Sequence, residues 1–258
     1  AALIAYVLRG YISHRGGLAE VGLYVAAFTI METYVGMVFS AIGTDYYPRL
    51  TAVNQDNSKC ASLMNQQGEI ALLVLSPILM VCLSFMPVII LAIFSAEFTG
   101  AISYIMWAVI GMMAKLGAWI ISYIFLAKAE ARLFLINEVT AKAYMLGINL
   151  LGYYLYGLEG LGISFLIGFV LYFIQVYLIA KNRYDFHFNS SFITIYVKQL
   201  LLILLCFLCA KYFNGFMKYA LCSLLSIVSI VYSYRELNVR IDLTNTIKSF
   251  INGRKHRT

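Results

Sequence analysis

Three ionisable side chains stand inside long apolar runs, where a charge is hardest to keep: Glu32, Lys115 and Lys142. At the middle of a membrane helix each costs at least about 2.5–3.5 kcal/mol, and a lysine that deep cannot easily reach water by extending its stem. Counted along their runs, Glu32 lies eleven residues from one helix end, Lys115 thirteen and Lys142 nine. At the α-helical rise these are depths of about 16, 20 and 14 Å, all near a midplane. Their neighbours indicate which way they point. Thr29, Glu32, Gly36, Ser40 and Gly43 recur every three or four positions, as do Gly111, Lys115, Ala118 and Ser122, and again Glu138, Lys142, Met145 and Asn149. Each set makes a small, polar stripe that belongs against a bundle interior or a wet cavity rather than lipid.

Two arrangements of these charges are open. Glu138 precedes Lys142 by one helical turn and can pair with it locally. Glu32 can then pair with Lys115, leaving a neutral set that locks the bundle. Otherwise the cavity has spare positive charge suited to an anionic substrate. At an effective dielectric of about 20, a charge pair about 4 Å apart is worth roughly 4 kcal/mol before desolvation is subtracted, enough to hold a phosphate without trapping it. The candidate substrate-binding residues are Lys115, Lys142, Glu32, Glu138 and Asn149, with Glu32 as counter-charge to a lysine or as an ion-coupling site.

Covalent chemistry has no visible apparatus. His14, His187 and His256 are scattered in loops and tail, no zinc-ligand spacing occurs, and there is no glycine-rich phosphate loop. Cys206 and Cys209 form a C-x-x-C inside an apolar run, where they mark one helix face. No catalytic residue, metal or cofactor is expected, and the chain is not read as an enzyme. Pro77 and Pro87 share one apolar run. Each removes a backbone hydrogen bond and favours a kink, and discontinuous helices are a recurring device of transporters.

The elements that must position these residues are membrane helices. The chain is 62% hydrophobic and 12% charged, against about 25% charged for soluble domains. Apolar runs fall at 21–46, 70–94, 102–126, 133–156, 161–180, 193–212 and 217–234, most of them near the ~20 residues a spanning helix needs. A shorter run at 1–8 reads as the remnant of a helix that starts upstream, which makes the chain a fragment. The fold class is therefore all-α: seven complete spans and one partial one in a polytopic bundle. The longer connections are expected at 47–69 and 181–192, Pro48 should end the first full helix, and Gly157, Gly160 and Gly162 should form a tight turn. Tyr46, Tyr47, Tyr153, Tyr154, Tyr156 and Tyr177 read as interfacial belt residues.

Alternating the loops puts 13 basic residues on one side and 4 on the other. The rich side carries Arg49, Lys59, Lys128, Arg132, Lys181, Arg183, Lys198 and the tail from Arg235 onward. The positive-inside rule makes that side, and the C-terminus, cytoplasmic. The tail ends in GRKHRT and should be attracted to anionic membrane lipids. No nucleic-acid partner is expected.

Val21-Gly22-Leu23-Tyr24-Val25-Ala26-Ala27, followed one helix later by Tyr47-Pro48-Arg49-Leu50 and then by the turn Lys128-Ala129-Glu130-Ala131-Arg132, resembles the bacterial polysaccharide flippases. These are the O-antigen and capsule lipid-linked oligosaccharide translocases of the multidrug/oligosaccharidyl-lipid/polysaccharide exporter superfamily. The resemblance covers about residues 1–185. It implies two helical lobes around a cavity of alternating access in the bacterial inner membrane. Residues 1–185 would be the second lobe, 186–234 the additional pair of fourteen-helix members, and 235–258 a basic cytoplasmic tail. The missing N-terminal lobe would be a partner, and the substrate a polyprenyl-phosphate-linked oligosaccharide for surface polysaccharide such as lipopolysaccharide. The rivals are a cation-coupled multidrug exporter of the same superfamily, expected to have an acid-dominated cavity, and a membrane polymerase or ligase of glycan assembly, expected to have a long outer loop.

Overall fold

A computed structural model describes residues 2–241. Every regular element among them is helical, and six continuous stretches are long and apolar enough to cross a membrane. The chain is an all-α, multi-pass membrane protein. Two of the six are too long for one pass. The first, Ile4–Ala52, comprises 49 residues and runs from the first turn of α1 (Ala2–Phe28) through a π-helix (Thr29–Val35) to the end of α2 (Met37–Ala52). It breaks at Gly17, whose φ of 80° and ψ of 177° lie outside helical space. Ile4 and Glu32 line one cavity, although a straight helix would hold them about 42 Å apart. The chain therefore folds back at Gly17.

The second long stretch is α5 (Ala131–Tyr184, 54 residues), broken at Tyr156 and Gly157. Gln175 Nε2 donates to Asn137 Oδ1 at 2.6 Å and Ser164 Oγ to the Ile148 carbonyl at 2.9 Å. A Cβ on Gly160 would lie 1.9 Å from the Gly152 carbonyl oxygen. These contacts pair residues symmetrically about position 156, so α5 is an antiparallel hairpin. Gly157, at φ 57°, takes the left-handed conformation that only glycine adopts readily. With both reversals the chain makes a short leading pass and seven full ones, the number that the hydropathy implies.

The remaining passes are α3 (Asn57–Ile93), α4 (Ile102–Ala127), α6 (Ser190–Tyr212) and α7 (Gly215–Ile241). Their ends are set locally. Asp56 caps α3 by accepting from the Ser58 and Lys59 N–H groups at 2.9 and 3.1 Å, and Asn189 caps α6 through the Phe192 N–H at 2.7 Å. A short 3-10 turn (Ala96–Ala101) leads into α4, the central helix and the most deeply buried of the membrane-length stretches. Rings from the second half of α5 press on its glycines: a Cβ on Gly111 or Gly117 would sit 2.7 Å from Phe165 or Phe173. The rising numbers on both sides make these two helices parallel, in keeping with alternate passes.

Several expected boundaries shift. Helix occupies most of 47–69, leaving only residues 53–56 outside it. Pro48 does not end the first full helix but lies inside α2, because Tyr46 and Leu50, both fully buried, hold the last turn in place. In the second expected long connection only residues 185–189 are non-helical. Of the three glycines near 160, Gly157 alone turns the chain. The last pass extends to Ile241, so the first residues of the expected tail are helical; the GRKHRT end lies outside the described residues. Tyr47, Tyr154 and Tyr156 are exposed as belt residues should be, whereas Tyr46 is buried, with its hydroxyl on the Ile120 carbonyl at 2.8 Å, and Tyr153 is buried on Glu20 at 2.6 Å. An aromatic ring with a hydroxyl suits a membrane interface, and equally a core that offers the hydroxyl an acceptor.

The last two helices pack on α3 and share its interior. Ser84 meets Ser226 at 3.0 Å, and Gln199 joins Ser229 and Ser233 at 2.7 and 2.9 Å. Arg240 Nε reaches Glu69 at 2.7 Å.

Candidate functional site

The three charged stripes converge. Lys115 on α4 donates to Glu32 Oε2 at 2.5 Å, with both side chains mostly buried, and its ammonium lies 5.5 Å from the centre of the Phe39 ring and 5.3 Å from that of Phe169. Lys142 stands 4.0 Å from Glu138 Oε2, one turn away on α5. Glu138 also accepts the Tyr172 hydroxyl, which receives Asn137 Nδ2 at 3.4 Å. Each deep lysine thus has its own carboxylate, and the spare positive charge left open by the sequence is absent. The pairing offsets part of the desolvation of four charged groups at membrane depth.

Beside these pairs lies a cavity of about 260 Å³. Glu32, Lys142 and Asn149 line it, together with the rings of Tyr24, Phe28, Tyr104, Phe165 and Phe169 and the aliphatic side chains of the leading helix. Lys115 and Glu138 are not among its lining residues. The fold brings the candidates together, but the cavity separates them into Glu32, Lys142 and Asn149, which face it, and Lys115 and Glu138, which pair with the two charged ones.

The two cavity-facing charges differ in how firmly they are engaged. Glu32 has Oε2 bound to Lys115 while Oε1 is buried without a hydrogen-bond partner. Lys142 sits at the outer limit of an ion pair, and its carboxylate already holds Tyr172. One group is an acceptor short of a donor; the other is a donor loosely held.

The backbone at Glu32 was not foreseeable from polarity alone. Thr29–Val35 winds as a π-helix, a form that inserts an extra residue into a turn and is found mostly as short bulges. Gly36 closes it: a Cβ there would lie 1.9 Å from the Glu32 carbonyl oxygen. A glycine four residues after a buried carboxylate is the available sequence signal, although it reads equally well as part of the small-residue stripe. Tyr172, whose hydroxyl holds Glu138, and Asn137 and Gln175, which continue that chain of hydrogen bonds behind it, were also missed. Tyr172 and Gln175 are three apart and thus share a helix face, but neither lies near a helix end or in a charged stripe.

The two prolines behave differently. Phe85, two residues before Pro87, leaves helical space at φ −112° and ψ 17°, whereas no break accompanies Pro77. Ile30, Tyr34, Val35, Ile78, Cys82, Ile89 and Ile93 make an apolar groove of about 280 Å³ between the π-helix and the bent part of α3. The kink at Pro87 and the π-helix are therefore neighbours. Among the described residues no cluster of three or more His, Cys, Asp or Glu side chains is arranged to hold a metal. No protein-family model, curated protein or solved structure matches this chain.

Proposed function

We propose that this chain forms one lobe of a flippase that carries polyprenyl-phosphate-linked oligosaccharide across the bacterial inner membrane by alternating access, with its basic end and C-terminus in the cytoplasm. The observation that carries this reading is Lys142. It faces a mid-depth cavity with Glu138 4.0 Å away, the one carboxylate within ion-pair distance of it among the described residues, and Glu138 keeps the Tyr172 hydroxyl as a donor when the ammonium turns to a phosphate. Asn149 and the tyrosine hydroxyls of the lining offer hydrogen bonds to sugar, and the rings offer faces for it to lie on. The polyprenyl tail stays in lipid. A volume of about 260 Å³ accommodates the linking phosphate and little more, so the glycan needs the facing lobe that the family resemblance implies.

Glu32 gives specific support to a second reading, a cation-coupled exporter. Its free Oε1 beside the cavity is an acceptor for a proton or a cation, and Lys115 is the group that would be released as the carboxylate is neutralised.

Transport assays with the whole protein separate the two. In the flippase reading, Lys142→Ala abolishes delivery of lipid-linked oligosaccharide while Glu32→Gln retains part of it. In the exporter reading, Glu32→Gln abolishes an ion-gradient-dependent efflux that Lys142→Ala leaves intact. Full glycan transport by Lys142→Ala ends the first reading.

A further inference from the structure

The turn from α4 into α5 holds a pocket that the proposed transport route does not use. Ala129 takes a left-handed φ of 56°, and the Glu130 N–H reaches back to the Phe125 carbonyl at 2.9 Å, so the chain reverses over three residues. A cavity of about 570 Å³ opens here, lined by Glu130, Arg132, Leu133, Ile136 and Arg183 together with the turn alanines. Arg183, from the far end of the α5 hairpin, is fixed on Glu130 by two contacts, Nη2–Oε2 at 2.7 Å and Nε–Oε1 at 3.1 Å. That clasp uses the pocket's one carboxylate. Arg132 is exposed and has no carboxylate within ion-pair distance among the described residues. The pocket therefore carries one uncompensated guanidinium, a cation that can pair with phosphate oxygens.

Both halves of the hairpin leading away from the arginines present large apolar side chains outward: Leu135, Ile136 and Val139 on one, Leu171, Ile174 and Leu178 on the other. A cationic pocket at the end of an exposed apolar surface on two membrane-length helices matches a molecule with an anionic head and hydrocarbon chains. A free anion gains nothing from the apolar surface, and a zwitterionic head carries no net charge for Arg132 to compensate.

We propose that this pocket is a binding site for an anionic phospholipid, its phosphate on Arg132 and its acyl chains along the hairpin. Arg183 is a positioning residue that keeps Glu130 turned from the phosphate. The site is separate from the Glu32–Lys142 cavity and stands whether or not the flippase reading does.

Spin-labelled phosphatidylglycerol and phosphatidylcholine, compared on the whole protein in nanodiscs, test it. The protein should prefer phosphatidylglycerol, and Arg132→Ala, which breaks no ion pair, should reduce that preference by about fivefold. Arg49→Ala removes a charge from the same end of the bundle outside the pocket and should change it little. Equal effects of the two variants would mean that the whole basic end is sensed, which overturns the proposal. So would displacement of the labelled lipid by inorganic phosphate, because the site would then recognise a soluble anion. Arg132→Lys keeps the charge without the fork and should restore most of the preference; if it behaves like Arg132→Ala while retaining its thermal transition, charge is not what the pocket reads and the assignment fails.

Discussion

At the scale of single residues, the Lys115–Glu32 pair bears most on both stability and transport. Removing the lysine leaves a mostly buried carboxylate without its cation. Lys115→Met should destabilise the protein by about 2–3 kcal/mol, the range for a broken buried pair after discounting for its partial exposure. The double variant Lys115→Met with Glu32→Gln should recover much of that loss, since both charges then leave together. Thermal denaturation in detergent reads both; a single variant as stable as the parent would show that the pair holds nothing. Asp56 gives a pH signature of a different kind. Its carboxyl, at the end of α3 and outside the spanning segments, is held below the ordinary value of 3.8, first by the Lys59 backbone N–H and further by the Lys59 ammonium and the Ser58 N–H. A depressed carboxyl contributes stability that is fully present above its unfolded value and is lost as pH falls through the lower folded one. The difference in melting temperature between the parent and Asp56→Asn should therefore be constant near neutral pH and shrink below about pH 4.

At the scale of elements, the π-helix and the kink at Pro87 set the geometry of the candidate site. Thr29–Val35 carries one more residue per turn than the helices flanking it, which fixes the azimuth of Glu32 relative to the rest of its stripe. Gly36 permits this by leaving room for the Glu32 carbonyl. Gly36→Ala should cost about 1–3 kcal/mol through overpacking and should disturb the Glu32–Lys115 contact, whereas Gly10→Ala, where an added Cβ meets nothing within 4 Å, should not. Melting temperatures of the two variants, together with cross-linking of cysteines placed at 32 and 115, check this; equal stability and unchanged cross-linking would remove Gly36 from the account. The prolines carry a related lesson. Pro87 bends α3 and Pro77 does not, although each withholds one backbone N–H, because packing decides whether the missing bond becomes a bend.

At the scale of the whole molecule, the ends of the bundle are chemically unlike. Of the thirteen basic residues assigned to one side, Arg49, Lys59, Lys128, Arg132, Lys181, Arg183, Lys198, Arg235 and Arg240 are described. Contacts gather the turns of that side: Asn54 Nδ2 donates to the Ala127 carbonyl at 2.8 Å, Arg183 clasps Glu130, and Arg240 Nη2 reaches Ser191 at 2.9 Å. At the other end Glu159 accepts Trp107 Nε1 at 2.9 Å and Lys211 at 3.4 Å. The asymmetry predicts that a fluorescent-protein fusion at the C-terminus glows in cells while an alkaline phosphatase fusion there is inactive. The reverse pattern would invert the orientation and with it the proposed direction of transport.

The number of passes and the turn near Gly157 were legible in the chain because hydropathy adds along a segment, and a glycine can turn where other residues resist; the reversal at Gly17, inside a helix that runs on past the apolar run at 1–8, was not. Glu138–Lys142 was legible for the same reason: a spacing of four on one helix makes neighbours whatever surrounds them. Tertiary structure decided the rest. Glu32 and Lys115 are 83 positions apart, and their meeting depends on which helices pack together and how each is rotated, which no single segment encodes. The same packing buried Tyr46, carried α2 past Pro48, and turned Lys142 toward the cavity while setting Lys115 behind Glu32. The sequence by itself therefore determined a membrane bundle with charges at its centre, and only the assembled helices decided which charges cancel and which face a ligand.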